Sequence, residues 1–83
     1  MENEAFDKII NVTREQLANR IRELRVERHY TQEDLEDISG ISRRGIGYIE
    51  NAAVDIKLST LVKLSASFQI SLAELLNFNE ESE

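Results

Sequence analysis

The chain predicts an all-α fold, a compact bundle of five or six short helices, and three observations carry that prediction. Proline is absent, and glycine occurs only at positions 40, 45 and 47. No β-branched run alternates with period two, so strands have no template. One local pattern recurs four times: an apolar residue, then Ser or Thr, then an apolar residue four positions after the hydroxyl. The instances are Val12-Thr13…Leu17, Tyr30-Thr31…Leu35, Ile41-Ser42…Ile46 and Ile70-Ser71…Leu75. Each reads as a helix start, in which the hydroxyl accepts from a free backbone N–H and the apolar pair brackets the first turn.

Taken in order, Thr13 predicts a first helix over 14–29, with Leu17, Ile21 and Leu24 on its buried stripe. Gln16, three residues after Thr13, would complete a capping box. Upstream, Phe6, Ile9 and Ile10 share a face and are compatible with a short extra helix within 4–11. Thr31 starts a second helix over 32–39, with Asp34 placing negative charge where the helix dipole favours it. Gly40 suits the left-handed residue that ends this helix. Ser42 then caps a third helix over 43–51. Leu35, Ile38, Ile41, Ile46 and Ile49 are expected to form the interior shared by these two. A fourth helix fits 58–68, where Leu58, Leu61, Ser65 and Phe68 share one face. Either Lys57 or Ser59 could cap it. Ser71 and Glu74 form a capping box for a last helix over 72–77. The chain is therefore expected to divide into an N-terminal extension (1–12), a helical domain (13–78) and an acidic disordered tail (79–83). Residues 1–4 are also expected to be disordered.

Eighty-three residues allow one small core. Without cysteine there are neither disulfides nor thiolate metal sites. No apolar run approaches the ~20 residues of a membrane span. The acidic start "MENEAFDKII" lacks the basic region of a secretory signal, so a cytoplasmic location is expected. The net charge of −6 argues at first against nucleic acid. Much of the excess, however, sits at the ends: Glu2, Glu4 and Asp7 against Lys8 at one, "NEESE" at the other. Between them, residues 13–30 carry five arginines against three glutamates, so a basic face is available.

The stretch "TQEDLEDISGISRRGIGYIEN", residues 31–51, is two short helices joined by "SGIS", the pattern of a helix-turn-helix. The second of them would expose Arg43, Arg44, Gly47, Tyr48 and Asn51. From about Leu17 to Leu76 the chain resembles the Cro-repressor-like, or XRE-type, helix-turn-helix regulators. The resemblance rests on "RIRELRVERHYTQEDL", "SGIS", "IGYIEN" and "LSTLVKLSASFQISLAELL" taken together. It implies the five-helix phage-repressor-like bundle and a transcriptional regulator that binds double-stranded DNA. It implies DNA contacts from Gln32, Ser42, Arg43, Arg44, Gly47, Tyr48 and Asn51, and an internal ion pair between Arg25 and Glu50. Arginine suits guanine, because its fork pairs with O6 and N7.

Three positions depart from the family. Glu36 stands where relatives carry alanine, under the recognition helix, and must reach solvent or find a partner such as Arg44. The loop "AAVDI", 52–56, lacks the usual basic anchors for phosphate. Gln69 replaces a common glycine.

Other readings are weaker. Arg43 and Arg44 as mere solvated charge does not fit their place in the first turn of the second helix. Tyr48 suits either core or groove. The G-x-G of "RRGIGY" lacks the preceding strand, third glycine and Lys-Ser/Thr of a nucleotide loop. His29 has no second His or Cys near it, and is read as a helix-end residue. No catalytic constellation, metal set or cofactor motif is present. The expected function is a homodimeric regulator on an inverted-repeat operator, paired through Ile70, Leu72, Leu76 and Phe78 or through Phe6, Ile9 and Ile10. The alternative is a protein-interaction module on the same scaffold, such as an antitoxin whose acidic surface meets a basic protein partner.

Overall fold

A computed structural model describes residues 2–78; the acidic tail expected at 79–83 lies outside them. Five helices follow one another: α1 (Glu2–Glu27), α2 (Gln32–Ser39), α3 (Arg43–Glu50), α4 (Leu58–Ser67) and α5 (Leu72–Leu75). No strand occurs among the described residues.

The first helix corrects the reading at Thr13. Instead of starting a helix there, the chain runs through it unbroken for 26 residues, and Asn3 and Glu4, expected to be disordered, are helical. The Thr13 hydroxyl donates to the Ile9 carbonyl at 2.8 Å, the bond of a threonine inside a helix. Nothing upstream breaks the helix, because residues 2–12 contain neither Gly nor Pro. Phe6, Ile9, Ile10 and Val12 lie exposed along this extension.

Three other caps are built as expected. Thr31 Oγ1 accepts from Asp34 N and Asp34 Oδ2 accepts from Thr31 N, at 3.0 and 2.8 Å, so α2 has a full capping box. Ser71 and Glu74 form the same box on α5. Ser42 Oγ accepts from Gly45 N at 3.0 Å on α3. Lys57 holds the cap position of α4 without a side-chain bond.

α1 ends in a left-handed residue, His29 (φ +59°), and Tyr30 N reaches back to Arg25 O at 3.0 Å. Gln69 ends α4 in the same way, with φ +61° and Ile70 N donating to Ser65 O at 3.0 Å. A side chain in this conformation costs roughly 1 kcal/mol that glycine would avoid, and that cost attaches to the departure at Gln69.

The core gathers one stripe from each helix: Ile21 and Leu24 of α1, Leu35 of α2, Ile46 and Ile49 of α3, Leu64 of α4 with Phe68 behind it, and Leu75 of α5. Leu17, Ile41, Ile70 and Leu72 pack half-buried against it. Two expected core residues are not in it. Ile38 is 49% exposed, because α2 directs Leu35 inward and its last turn meets solvent. Leu58 is 66% exposed at the first residue of α4, whose buried face begins only at Leu61 and Leu64.

The Thr13 geometry fixes the sign of a substitution. Thr13→Ala should leave thermal stability unchanged or raise it slightly, since alanine is the better helix former. Thr31→Ala, which removes a true cap, should cost about 1 kcal/mol. Thermal denaturation of both variants checks this; a cap-sized loss at Thr13 would contradict the continuous helix.

Candidate nucleic-acid interface

The path from α2 to α3 is set by three residues. Gly40 takes φ +78° and its N–H returns to Glu36 O at 2.9 Å, which stops α2. Ile41 drops toward the core, and its N–H donates to Ser39 Oγ at 3.0 Å. Ser42 then caps α3. Ile46, Ile49 and Glu50 are buried on the inner side of α3, while Ser42, Arg43, Arg44, Tyr48 and Asn51 are exposed on or beside it. The outer side of α3 is therefore a short strip with two arginines at its start and a tyrosine one turn later.

Both arginines are held by exposed partners. Arg43 Nη1 donates to Glu33 Oε2 of α2 at 2.9 Å. Arg44 Nε donates to Tyr48 Oη at 3.0 Å, with its guanidinium carbon 5.8 Å from the ring centroid. Tyr48, 44% exposed, belongs to the outer strip and not to the core.

The inner end of α3 is tied down by Glu50, which is 4% exposed. Its carboxylate accepts from Arg25 Nε at 2.6 Å, from Arg25 Nη2 at 3.0 Å and from Gln32 Nε2 at 3.2 Å. The Glu50 hydrogen bond raises the Arg25 pKa above its ordinary value, against the lowering effect of burial. Arg25 Nη1 also donates to Tyr30 O at 2.8 Å, fixing the turn between α1 and α2. Gln32 is thus half-buried and turned partly inward.

Arg22 is a residue that sequence reasoning did not single out. It lies one turn before Arg25 on α1, and its Nη2 donates to the Glu50 backbone carbonyl at 2.7 Å. With Asn19, Asn51 and Ala52 it lines a shallow polar depression at the end of α3. The i, i+3 spacing to Arg25 was the available signal. Glu33 was missed for a different reason, since ten positions separate it from Arg43.

Glu36 is half-buried and forms no ion pair with Arg44 or with any other described residue. Its oxygens are not sealed from water, so the carboxylate meets solvent. Asp55 of the 52–56 loop pairs with Arg14 of α1, which holds that loop against the helix.

The two glycines of α3 differ. A Cβ at Gly45 would stand 3.1 Å from the capping Ser42 Oγ and 3.4 Å from Ile41 Cγ2. A Cβ at Gly47 would meet nothing within 4 Å. Gly45 therefore serves the cap, whereas nothing inside the protein requires Gly47.

No group of three His, Cys, Asp or Glu side chains placed to hold a metal occurs among the described residues. No described helix is long and apolar enough to cross a membrane.

Comparison with known proteins gives concordant matches. A family model described as helix-turn-helix, HTH_3, matches residues 21–75. Control protein C.SmaI of Serratia marcescens is 36% identical over 63 residues, which are 76% of this chain and 75% of that protein. A hypothetical transcription factor, NHTF, from Neisseria superposes with a TM-score of 0.72 at 30% identity, over 76% of this chain and 72% of that one. An HTH_3 family transcriptional regulator from Vibrio cholerae shares the fold, with a TM-score of 0.78 at 22% identity. That match covers 86% of this chain but only 39% of the Vibrio chain.

Two stability predictions follow from this geometry. Gly47→Ala should stabilise the free protein by up to about 1 kcal/mol, the helix-propensity difference. Gly45→Ala should gain less than that, because its methyl group crowds the capping Ser42 Oγ. Equal gains in chemical denaturation would refute the distinction. Glu50→Ala should cost about 3–5 kcal/mol, since it strands Arg25 in a mostly closed site. Replacing the pair together, Arg25→Met with Glu50→Leu, should recover most of that loss.

Proposed function

The chain belongs to the HTH_3 helix-turn-helix family, whose members are DNA-binding regulators and not enzymes, and on that premise we propose that it binds an inverted-repeat operator as a homodimer, with α3 of each subunit in a major groove. The observation that carries this reading is the division of α3. Its inner side is locked by Ile46, Ile49 and Glu50, while Arg43, Arg44 and Tyr48 project outward, uncovered by any other element.

Each contact has its own chemistry. Arg43 and Arg44 present donors to guanine O6 and N7. Tyr48 keeps a hydroxyl and a ring face for a base or sugar. Gly47 leaves room for the groove edge to approach the backbone. Ser42 accepts one bond as a cap, but its hydroxyl hydrogen remains for a phosphate oxygen. Gln32, with one amide hydrogen directed to Glu50, offers the other to the DNA backbone. Asn51, beside Arg22 at the far end of α3, faces the next phosphates. Such contacts fix register, while the arginines read sequence.

Two half-sites about 34 Å apart, one helical turn, suit a two-fold dimer. Phe6, Ile9 and Ile10 on α1, and Leu76 just beyond α5, are uncovered apolar residues available to a second subunit. Ile70 and Leu72 already pack against the chain's own core.

Fluorescence anisotropy on duplexes selected from a random pool, at two salt concentrations, tests the reading. Affinity should fall steeply with salt, as counterion release requires. The double change Arg43→Ala, Arg44→Ala should weaken operator binding at least about thirtyfold, from roughly 1 kcal/mol or more per bidentate contact. Absence of salt-dependent binding at micromolar protein would overturn the function and leave the partner-binding alternative. Unchanged operator affinity of the double variant would overturn the site. Sedimentation of the protein with its operator should give two chains per duplex.

A further inference from the structure

Arg43 is the first residue of α3 and Glu33 the second residue of α2, and their side chains meet at the outer junction of the two helices. The bond from Arg43 Nη1 to Glu33 Oε2 is 2.9 Å long, and the side chains are 59% and 69% exposed. An ion pair this open adds almost nothing to folding stability. Nor is Glu33 needed to cap α2, because Asp34 completes the capping box. What the pair does provide is a fixed pattern of donors and acceptors. Arg43 Nε and Nη2 have no partner among the described residues, and neither has Glu33 Oε1. The pair thus keeps two kinds of donor nitrogen and one acceptor oxygen uncommitted.

Resting on the DNA-binding role proposed above, we propose that Glu33 and Arg43 act together as one reading unit for a single G·C base pair, with Arg43 on guanine and Glu33 on the paired cytosine. The major-groove edge of that base pair presents N7 and O6 as acceptors, then the N4 amino group as donor. Guanine O6 and cytosine N4 are hydrogen-bonded to each other and lie side by side, as the Arg43 and Glu33 side chains do. The match is specific. On an A·T pair the amino group stands between two acceptors, adenine N7 and thymine O4, and the thymine methyl lies beyond O4. A carboxylate aimed at adenine N6 would face the N7 lone pair, and an arginine fork on thymine would meet the methyl group. Glu33 also keeps Arg43 off the phosphates, because it neutralises the charge that would otherwise seek the nearest anion. Glu33 is therefore a specificity-determining residue, and the acid next to the reading arginine is part of the reading head.

The test is selection from a random duplex pool followed by affinity measurement on every single-base variant of the selected half-site, with wild-type, Glu33→Ala and Arg43→Ala proteins. Both substitutions lie at exposed positions, and thermal melting checks that each variant is folded. Wild-type protein should require G·C at one half-site position, with other pairs bound roughly five- to 150-fold more weakly. Glu33→Ala should reduce that preference to less than about threefold at this position alone, while binding to unrelated duplexes tightens and becomes more salt-dependent as Arg43 turns to phosphate. Arg43→Ala should lose preference at the same base pair. Loss at a different base pair, or Glu33→Ala changing affinity equally on all duplexes with every preference intact, would overturn the joint reading while leaving the DNA-binding role standing. A wild-type protein that selects no sequence would overturn both.

Discussion

The structure depends on one buried carboxylate. Glu50 sits at the C-terminal end of α3, where the helix dipole disfavours negative charge, and it is almost fully removed from water. An uncompensated carboxylate there would cost several kcal/mol. The compensation comes from three directions. Arg25 of α1 meets it with two N–H groups, Gln32 at the start of α2 adds a third donor, and Arg22 of α1 takes the adjoining backbone carbonyl. Because Arg25 also holds the Tyr30 carbonyl, one guanidinium fixes both the end of α3 and the turn that leads into α2. A shift of α3 along its axis would break several of these bonds at once. α3 is located by this network as much as by its apolar contacts.

The consequence is a division of labour among the charged residues. Arg25 and Gln32 donate to the Glu50 carboxylate, and Arg22 donates to the Glu50 backbone carbonyl. Arg43 and Arg44 face outward and hold only exposed partners, Glu33 and Tyr48. These partners keep the long side chains from sampling every rotamer. The net negative charge of the chain does not oppose this. Of the acids on α2, Glu33 is paired with Arg43 and Asp34 is committed to the cap. The basic loop that would add phosphate anchors is replaced by one tied to Arg14 through Asp55.

Local chemistry was legible in the sequence and long-range chemistry was not. Thr31, Ser42 and Ser71 announce α2, α3 and α5, because a cap is a contact over three residues. The start of each of those helices follows from that alone. Thr13 carries the same signature and misleads, because a threonine hydroxyl is equally satisfied by the carbonyl one turn back when the upstream chain is helical. The signature cannot distinguish the two cases. Ile38 and Leu58 fall on apolar stripes but at helix ends, where periodicity says nothing about whether another element covers them. The Arg25–Glu50 pairing entered through the resemblance and not through spacing. Glu33 beside Arg43 became visible only when two helix starts were placed next to each other.

If the outer side of α3 reads the major groove, as proposed, its contacts fall on the N7 edge of guanine. Methylation of guanine N7 places a methyl group on that groove edge and nowhere else. Methylation interference on a selected operator tests the claim most directly. N7-methylated guanines should block binding in two clusters, one per half-site and about one helical turn apart. Binding that tolerates N7 methylation throughout the operator would contradict it.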